Sequence, residues 1–452
     1  MPGFTVAIHA AAEGLRVFER SLATIQNNVT NSSTPGYVRQ RQALVSGAFE
    51  PEKGLYGGIS AGPRETSRDD FAERVVRDRT SAFGYQDQLA AGLAQIEPVF
   101  DATGDAGIPG ALNKLFQSFS ALTVTPNDPV ARNAVIERAD GVASAFRSTA
   151  STIITARSEA SKQVATAAGN VNRIAGLIAG FNAQSLNSGD LGANPSLEAS
   201  VYNAIEQLSE QLDVQAIRQG DGTFTVLTAG GTPLVIADQQ TDLIVDASGA
   251  TVQILDSAAN NLTSQFTGGR LGSLLTVTNV VLPGLKASVD LLAETLADRV
   301  NGLLANGVDS NGQSGAALFQ YNAISGAGAS LARTSVTAAQ IAAADPGSPG
   351  GNGNALNLAG LSSSIELGGL SFAGSYGSIA AGVGRQIAAA KENQGVQTQL
   401  LTQAKLLRQD RSGVSLDEEA TKLLEYQRAY QASARMIAVL NDLTQTLIDT
   451  LR

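Results

Sequence analysis

The side chains able to do chemistry are few, and their spacing keeps them out of the usual catalytic arrangements. His9 is the only histidine among 452 residues and there is no cysteine. A Ser-His-Asp triad needs a histidine in a folded cleft, and a zinc site needs several Cys or His ligands, so neither is expected. Asp309-Ser-Asn311-Gly-Gln-Ser-Gly315 begins like a calcium loop but lacks the distal bidentate glutamate, and reads as a Gly-Asn turn. Gly350-Gly-Asn-Gly353 follows no strand–helix junction, which argues against a phosphate cradle. Asp417, Glu418 and Glu419 open the last helical pattern, where carboxylates meet the positive end of the helix dipole. That placement stabilises a helix rather than forming a catalytic pair. A muramidase would need a raised-pKa carboxylate in a cleft of a dedicated domain, and no segment offers one. The chain reads as a non-enzyme with no cofactor and no metal.

Composition narrows the partners. The net charge is −10, with acids dispersed and basic residues never gathered beyond short groups such as Arg74, Arg77 and Arg79. Nucleic acid and anionic membrane are poor partners for such a surface. No run of 18 apolar residues is present, so no membrane insertion is expected. The segment MPGFTVAIHAAAEGLRVFER lacks a basic stretch followed by an unbroken apolar one, so it does not read as a cleaved secretory signal. Absence of cysteine suits a chain that must stay unreactive while crossing between compartments.

The elements that organise the chain are apolar stripes at its two ends. Ile8, Ala11, Leu15, Phe18, Leu22, Ile25 and Val29 recur every three or four residues. Leu416, Ala420, Leu423, Tyr430, Ala434, Ile437, Leu440, Leu447 and Leu451 keep the same beat. Each places one narrow stripe along a helix, wide enough for a partner helix but not for a globular core. The first helix, over 4–30, stops at an Asn-rich run, and Pro35-Gly36 suits the centre of a type II turn. Tyr37 then opens an extended segment to Val45. Helical patterns cover roughly 71–100, 113–122 and 129–181. From about residue 213 short β-rich runs alternate with Gly-Asp-Gly and Ala-Gly-Gly turns. Helix resumes at Gly269, residues 305–370 read as loops with one or two strands, and 378–452 is helical with a break near Ser412-Gly413. The predicted fold is α+β, mainly α: long terminal helices forming a coiled coil, a helical-bundle domain and an inserted small antiparallel β domain. The domains fall at 1–60 with 395–452, at 61–205 with 267–394, and at 206–266.

Asn27-Asn28-Val29-Thr30-Asn31, Thr34-Pro35-Gly36-Tyr37 and Arg39-Gln40 resemble the N-terminal signature of axial proteins of the bacterial flagellum. Gly413-Val-Ser-Leu-Asp-Glu-Glu419 and Leu424-Glu-Tyr-Gln-Arg-Ala-Tyr-Gln-Ala-Ser-Ala434 resemble their C-terminal signature. The Gln-Ala-Ser-Ala ending, Gly268-Gly269-Arg-Leu-Gly272, Leu282-Pro283 and Asn306-Gly307-Val-Asp309 are similar to the hook-associated protein 1 family. One departure is Leu197-Glu-Ala-Ser-Val-Tyr-Asn203, where that family usually has a Leu-Asp-Gln-Arg-type run.

The resemblance implies a structural, extracellular part of the flagellum at the hook–filament junction, exported without a cleaved signal through the flagellar type III apparatus. It implies a ring of identical subunits. The other partners are hook protein, a second junction protein leading to flagellin, and an export chaperone. The assembly seam is read as Leu15, Phe18, Leu22, Ile25 and Val29 with Leu416, Leu423, Tyr430, Ala434, Ile437 and Leu447. Asn28, Asn31, Pro35, Gly36 and Tyr37 are read as the helix stop and turn that aim the chain into its next domain. A lone amphipathic helix is marginal in water, and each buried seam leucine contributes roughly 1.5–3 kcal/mol. The ends are therefore expected to gain their order from neighbouring subunits. Another axial protein, from the hook, the distal rod or the filament side of the junction, is the alternative.

Overall fold

A computed structural model of the chain describes residues 2–50, 55–100, 107–188 and 194–450. Helix α1 (Pro2–Thr30) is followed by the Pro35-Gly36 turn, in which Gly36 takes φ +77° and the Tyr37 N–H donates to the Thr34 carbonyl at 3.1 Å. This is the backbone a type II turn requires, and only glycine adopts it without steric cost. Strand β1 (Gln40–Ser46) leaves the turn. The short strands β2 (Phe49–Glu50) and β3 (Leu55–Tyr56) pair antiparallel, and β4 (Ile59–Thr66) runs antiparallel to β1 with a bulge between Gln42 and Leu44.

The body is built on helices with clear start signals. In α2 (Asp70–Ala94) the Asp69 carboxylate caps the N–H of Ala72. Then come α3 (Gly107–Val124) and α4 (Pro129–Ser188), a 60-residue helix with proline at its first position. It is followed by α5 (Pro195–Gln211), capped by Asn194. Residues 206–211, assigned above to the outer domain, are the last turns of α5, and the β layer begins at Val214, where the β-rich runs start.

The β layer is a four-stranded antiparallel meander of β5 (Val214–Arg218), β6 (Phe224–Thr228), β7 (Pro233–Ile236) and β8 (Gln239–Gln240). The hairpin of β9 (Ile244–Asp246) and β10 (Gln253–Leu255) completes it. Helices α6 (Gly269–Thr276) and α7 (Leu282–Asn306) then run nearly in line through a π-helical turn. Strands β11 (Phe319–Gln320) and β12 (Ala332–Arg333) pair around the short α8 (Ala327–Ser330), and α9 (Gly353–Gly360) leads to α10 (Phe372–Ser412) and α11 (Leu416–Thr450).

Two apolar cores share α4 as their spine. One holds Phe119, Phe146, Leu296, Phe372 and Tyr376 and takes in α4 as far as Ala160. The other begins at Val164 and joins Ile178, Ile205, Leu208, Val226 and Leu271. The β layer therefore has no separate core: its inward residues pack on α4, α5 and α6. The aperiodic 305–370 segment supplies buried Leu318, Phe319, Leu331, Ile341 and Leu358 to the first core. Single apolar residues set between turns close the bundle there without a regular pattern. No helix of the described residues is long and apolar enough to cross a membrane.

Candidate assembly site on the terminal helix pair

The two terminal helices pack antiparallel against each other. Asn28 meets Glu419 at one end of the pair, the rings of Phe18 and Tyr426 lie 6.1 Å apart in the middle, and Gly14 faces Ser433 further along. The predicted seam is split by this packing. The positions that α1 buries are mostly small: Ala11, Gly14, Val17, Ser21, Ile25 and Asn28. Leu15, Phe18 and Leu22 are only half-buried and Val29 is exposed. On α11, Leu423, Ala434 and Ile437 are half-buried, while Leu416, Tyr430 and Leu447 are exposed. Leu451 lies outside the described residues. Small residues let the backbones approach closely, and the larger apolar side chains are left on the flank of the contact.

A second apolar row on α11 was not singled out from sequence. Met436, Val439 and Leu443 are 58%, 57% and 47% exposed. Seven-residue bookkeeping tied to Leu440 and Leu447 passed over them, because they sit beside the α1-facing stripe rather than within it. The same row continues to Leu447 on the helical wheel.

The base of the pair is polar and buried. Glu419 and Asn28 are each 1% exposed. Glu419 accepts from the Asn28 amide at 3.0 Å and from Arg39 Nε at 2.7 Å, and Arg39 Nη1 reaches Glu418 at 2.6 Å. The Asn28 side chain also bonds the backbone of Gln40 in both directions, its Nδ2 donating to the carbonyl and its Oδ1 accepting from the N–H, each at 2.9 Å. The Arg39 N–H donates to the Ser412 carbonyl, and the Ser412 hydroxyl accepts from the Asp69 N–H. Glu419, Arg39 and Ser412 together thus join the end of α1, the start of β1, the α10–α11 break and the start of α2. Tyr37 adds its hydroxyl, 2.9 Å from the side-chain oxygens of Asn27 and Asn28. Burial, and then the Glu419 charge, push that phenol up to about 12. The stripes gave no signal for this node: their slots here are held by Val29 and Ala420, and Asn28 and Glu419 lie one position away. Asn31 is half-buried beside it, its amide donating to the Asn27 carbonyl, and Pro35 is exposed.

Below the turn lies a second ionic cluster. Arg68 pairs with Glu73 and Glu198, donates to the Gly36 carbonyl at 2.8 Å and stacks 3.6 Å over the Tyr202 ring. Arg408 bridges Glu73 and Glu206, and Lys405 reaches Glu206 at 3.2 Å. Burial alone raises the Glu206 carboxyl, but Arg408 and Lys405 outweigh it and hold the group below the usual range. Gly36 sits so close to α5 that an added Cβ would lie 2.3 Å from the Ala199 carbonyl. The departing segment Leu197–Asn203 is therefore the dock for the turn: Glu198 and Tyr202 hold Arg68, and Ala199 receives Gly36. Among the described residues, no three His, Cys, Asp or Glu side chains gather to hold a metal.

This arrangement is a fastening, built to hold two long helices at one end and leave apolar flanks open at the other. The model of the flagellar hook-associated protein FlgK helical domain matches residues 93–319, and that of the flagellar basal body rod FlgEFG protein C-terminal region matches 409–450. Flagellar hook-associated protein 1 of Bacillus subtilis (strain 168) is 26% identical over 504 aligned residues, with 98% of each chain covered. Its namesake in Salmonella typhimurium is 26% identical over 330 residues, covering 69% of this chain and 59% of that protein. The structure of the flagellar hook junction protein FlgK from Burkholderia pseudomallei has the same fold, with a TM-score of 0.68 at 16% identity over 75% of this chain and all of that one. The chain, with its fastened base and open flanks, belongs to the flagellar hook-associated protein FlgK family.

Proposed function

We propose that the protein forms the junction ring between hook and filament by self-assembly through its terminal helices. Residues 1–60 and 395–452 act as the assembly domain in this reading. The observation that carries it is the open apolar row of Met436, Val439, Leu443 and Leu447 in the distal half of α11, with Leu15 and Leu22 only half-covered nearer the base. A narrow apolar face left uncovered on a rigidly fastened helix pair is what a third helix from a neighbouring copy would bury. The partners are other copies, hook protein on one side and a second junction protein leading to flagellin on the other. Export runs through the flagellar type III apparatus with a dedicated chaperone, and both the family and the cysteine-free composition support this. The body and the pairing at the base are held within one chain, and the flanks gain their cover from neighbours.

A truncation lacking residues 1–30 should remain soluble, keep its two cores and fail to assemble. If it still forms junctions, the reading falls. The rod-type match over 409–450 favours a rival placement elsewhere on the axial structure. Immunogold labelling decides between them: label at the hook tip supports the junction, and label along the rod or hook overturns it.

A further inference from the structure

Asparagine precedes glycine four times in the chain, at Asn301-Gly302, Asn306-Gly307, Asn311-Gly312 and Asn352-Gly353. In such a pair the glycine nitrogen can attack the asparagine side-chain carbon, because no Cβ on the following residue crowds its approach. The attack needs a backbone free to bring the two atoms together and a carboxamide that is not tied elsewhere. The fold treats the four pairs differently.

Asn301 lies inside α7, where its Nδ2 donates to the Phe319 carbonyl at 2.8 Å and its Oδ1 accepts from the N–H groups of Leu318 and Phe319. Asn306 is the last residue of α7, and the N–H of buried Gly307 donates to the carbonyls of Leu303 and Leu304 at 3.2 and 3.1 Å. Asn352 donates to the Thr123 carbonyl at 2.8 Å. Asn311 is exposed, in the turn between the paired Val308 and Ser314. Its carboxamide reaches only its near neighbour Asp309, at 3.3 Å, and the Gly312 N–H donates to the Asp309 carbonyl at 3.2 Å. Gly312 takes φ +78°, and an added Cβ there would meet nothing within 4 Å.

We infer that Asn311 is a site of spontaneous deamidation, set apart from the other three pairs by the fold. The Gly312 nitrogen bonds to Asn311 Cγ, the Cγ–Nδ2 bond breaks, and the proton of the Gly312 N–H leaves with the amide as ammonia. Water then opens the cyclic imide at either carbonyl, giving aspartate or isoaspartate. Either product sets a carboxylate where an amide donated to Asp309, a residue only 7% exposed, and like charges there repel. Isoaspartate also lengthens the backbone by one carbon, in a turn closed by the Gly312 and Gln313 N–H groups on Asp309. The same turn holds the Val308 N–H on the Ala344 carbonyl at 2.8 Å, so the modification loosens that edge of the first core. The modified fraction records time since synthesis, whatever the chain assembles with.

The test is peptide mapping by mass spectrometry of the folded full chain aged at neutral pH. Asn311 should deamidate at least about tenfold faster than Asn301, Asn306 and Asn352, whose bonds must break before attack. In urea those bonds are gone, and the four rates should converge to within about threefold. Equal rates in the folded chain overturn the site. A lead for Asn311 that persists undiminished in urea overturns the role of the fold. Asn311→Asp reproduces one product, and amide exchange at Val308 and Asp309 should quicken about fivefold in that variant. Unchanged exchange there overturns the loosening.

Discussion

The base and the distal half of the terminal helix pair are built from opposite materials. At the base, the buried Glu419 carboxylate accepts from Asn28 and from Arg39, whose buried Nη2 has no partner among the described residues. In the distal half of α11, methionine, valine and leucine face solvent although the helix is regular. Buried polar groups hold a geometry through the bonds they make, and removing one leaves the others uncompensated. Exposed apolar rows contribute nothing until something covers them. The base therefore belongs to folding, and the distal flank to whatever the chain joins. A helix pair anchored by polar contacts can hold its direction while its apolar side waits for a partner.

The sharpest way to break this division is to remove the carboxylate. Glu419→Ala leaves buried Arg39 Nε without its acceptor, although Nη1 keeps Glu418 and the Asn28 amide keeps the Gln40 carbonyl, and breaking such a buried pair costs about 3–5 kcal/mol. Hydrogen exchange should show the loss as earlier opening of α1 and α11, with α3 and α4 still protected. A change below about 1 kcal/mol would mean that the node is ornamental and the base is held by apolar contact alone.

The next test concerns backbone geometry. Gly36→Ala must place a Cβ at φ +77° against the Ala199 carbonyl. Strain of this type is of order 1–3 kcal/mol, and the 2.3 Å approach also forces the turn off α5. Gly384 in α10 is the contrast, because an added Cβ there meets nothing within 4 Å. Gly384→Ala should stabilise the chain by roughly 0.5–1 kcal/mol, as alanine does in a helix interior. Equal effects at the two glycines would show that the turn is not held against α5.

Much of this architecture was legible from sequence, for physical reasons that differ by region. Both terminal helices announced themselves through period, and the turn through Pro35-Gly36, because local backbone chemistry decides those features. Period alone could not say which part of the stripe is used within the chain. That choice depends on residue size at the crossing, where Gly14 and Ser21 pack and Leu15 does not. The Arg68 cluster was illegible, since Glu73, Glu198, Glu206 and Arg408 come from three helices far apart in sequence. The loop-rich 305–370 segment hid its buried Leu318 and Ile341 because isolated apolar residues between turns carry no periodic signal.

Acid should loosen the second cluster before the first core. The Glu206 carboxyl is held below its unfolded value of 4.5 by Arg408 and Lys405 against the opposing effect of burial. A depressed folded pKa means that the stabilisation is complete above 4.5 and disappears as pH falls through the lower folded value. Opening of α5 from α10, followed by hydrogen exchange or by a probe on α10, should steepen below pH 4.5 in the unmodified chain. Glu206→Gln should flatten that slope while lowering stability at neutral pH. An unchanged acid slope would assign the response to other carboxylates.

The smallest effect on the isolated chain should come from the distal flank, and it is the one that tests the division most directly. Val439 is 57% exposed on α11, beside the helix face that meets α1. Val439→Ser removes two methyl groups from a side chain already largely in water, so unfolding of the monomer should shift by no more than about 0.5 kcal/mol. In an assembled lattice the same position would be covered by a neighbour, and burying a valine contributes roughly 1.5 kcal/mol or more. That loss recurs in every subunit, and a defect too small to register in one chain is multiplied around a ring. Serine at 439 should therefore leave the melting curve in place while the assembled fraction drops. A variant that lowers monomer stability by as much as the base substitutions would show that the flank belongs to the fold after all.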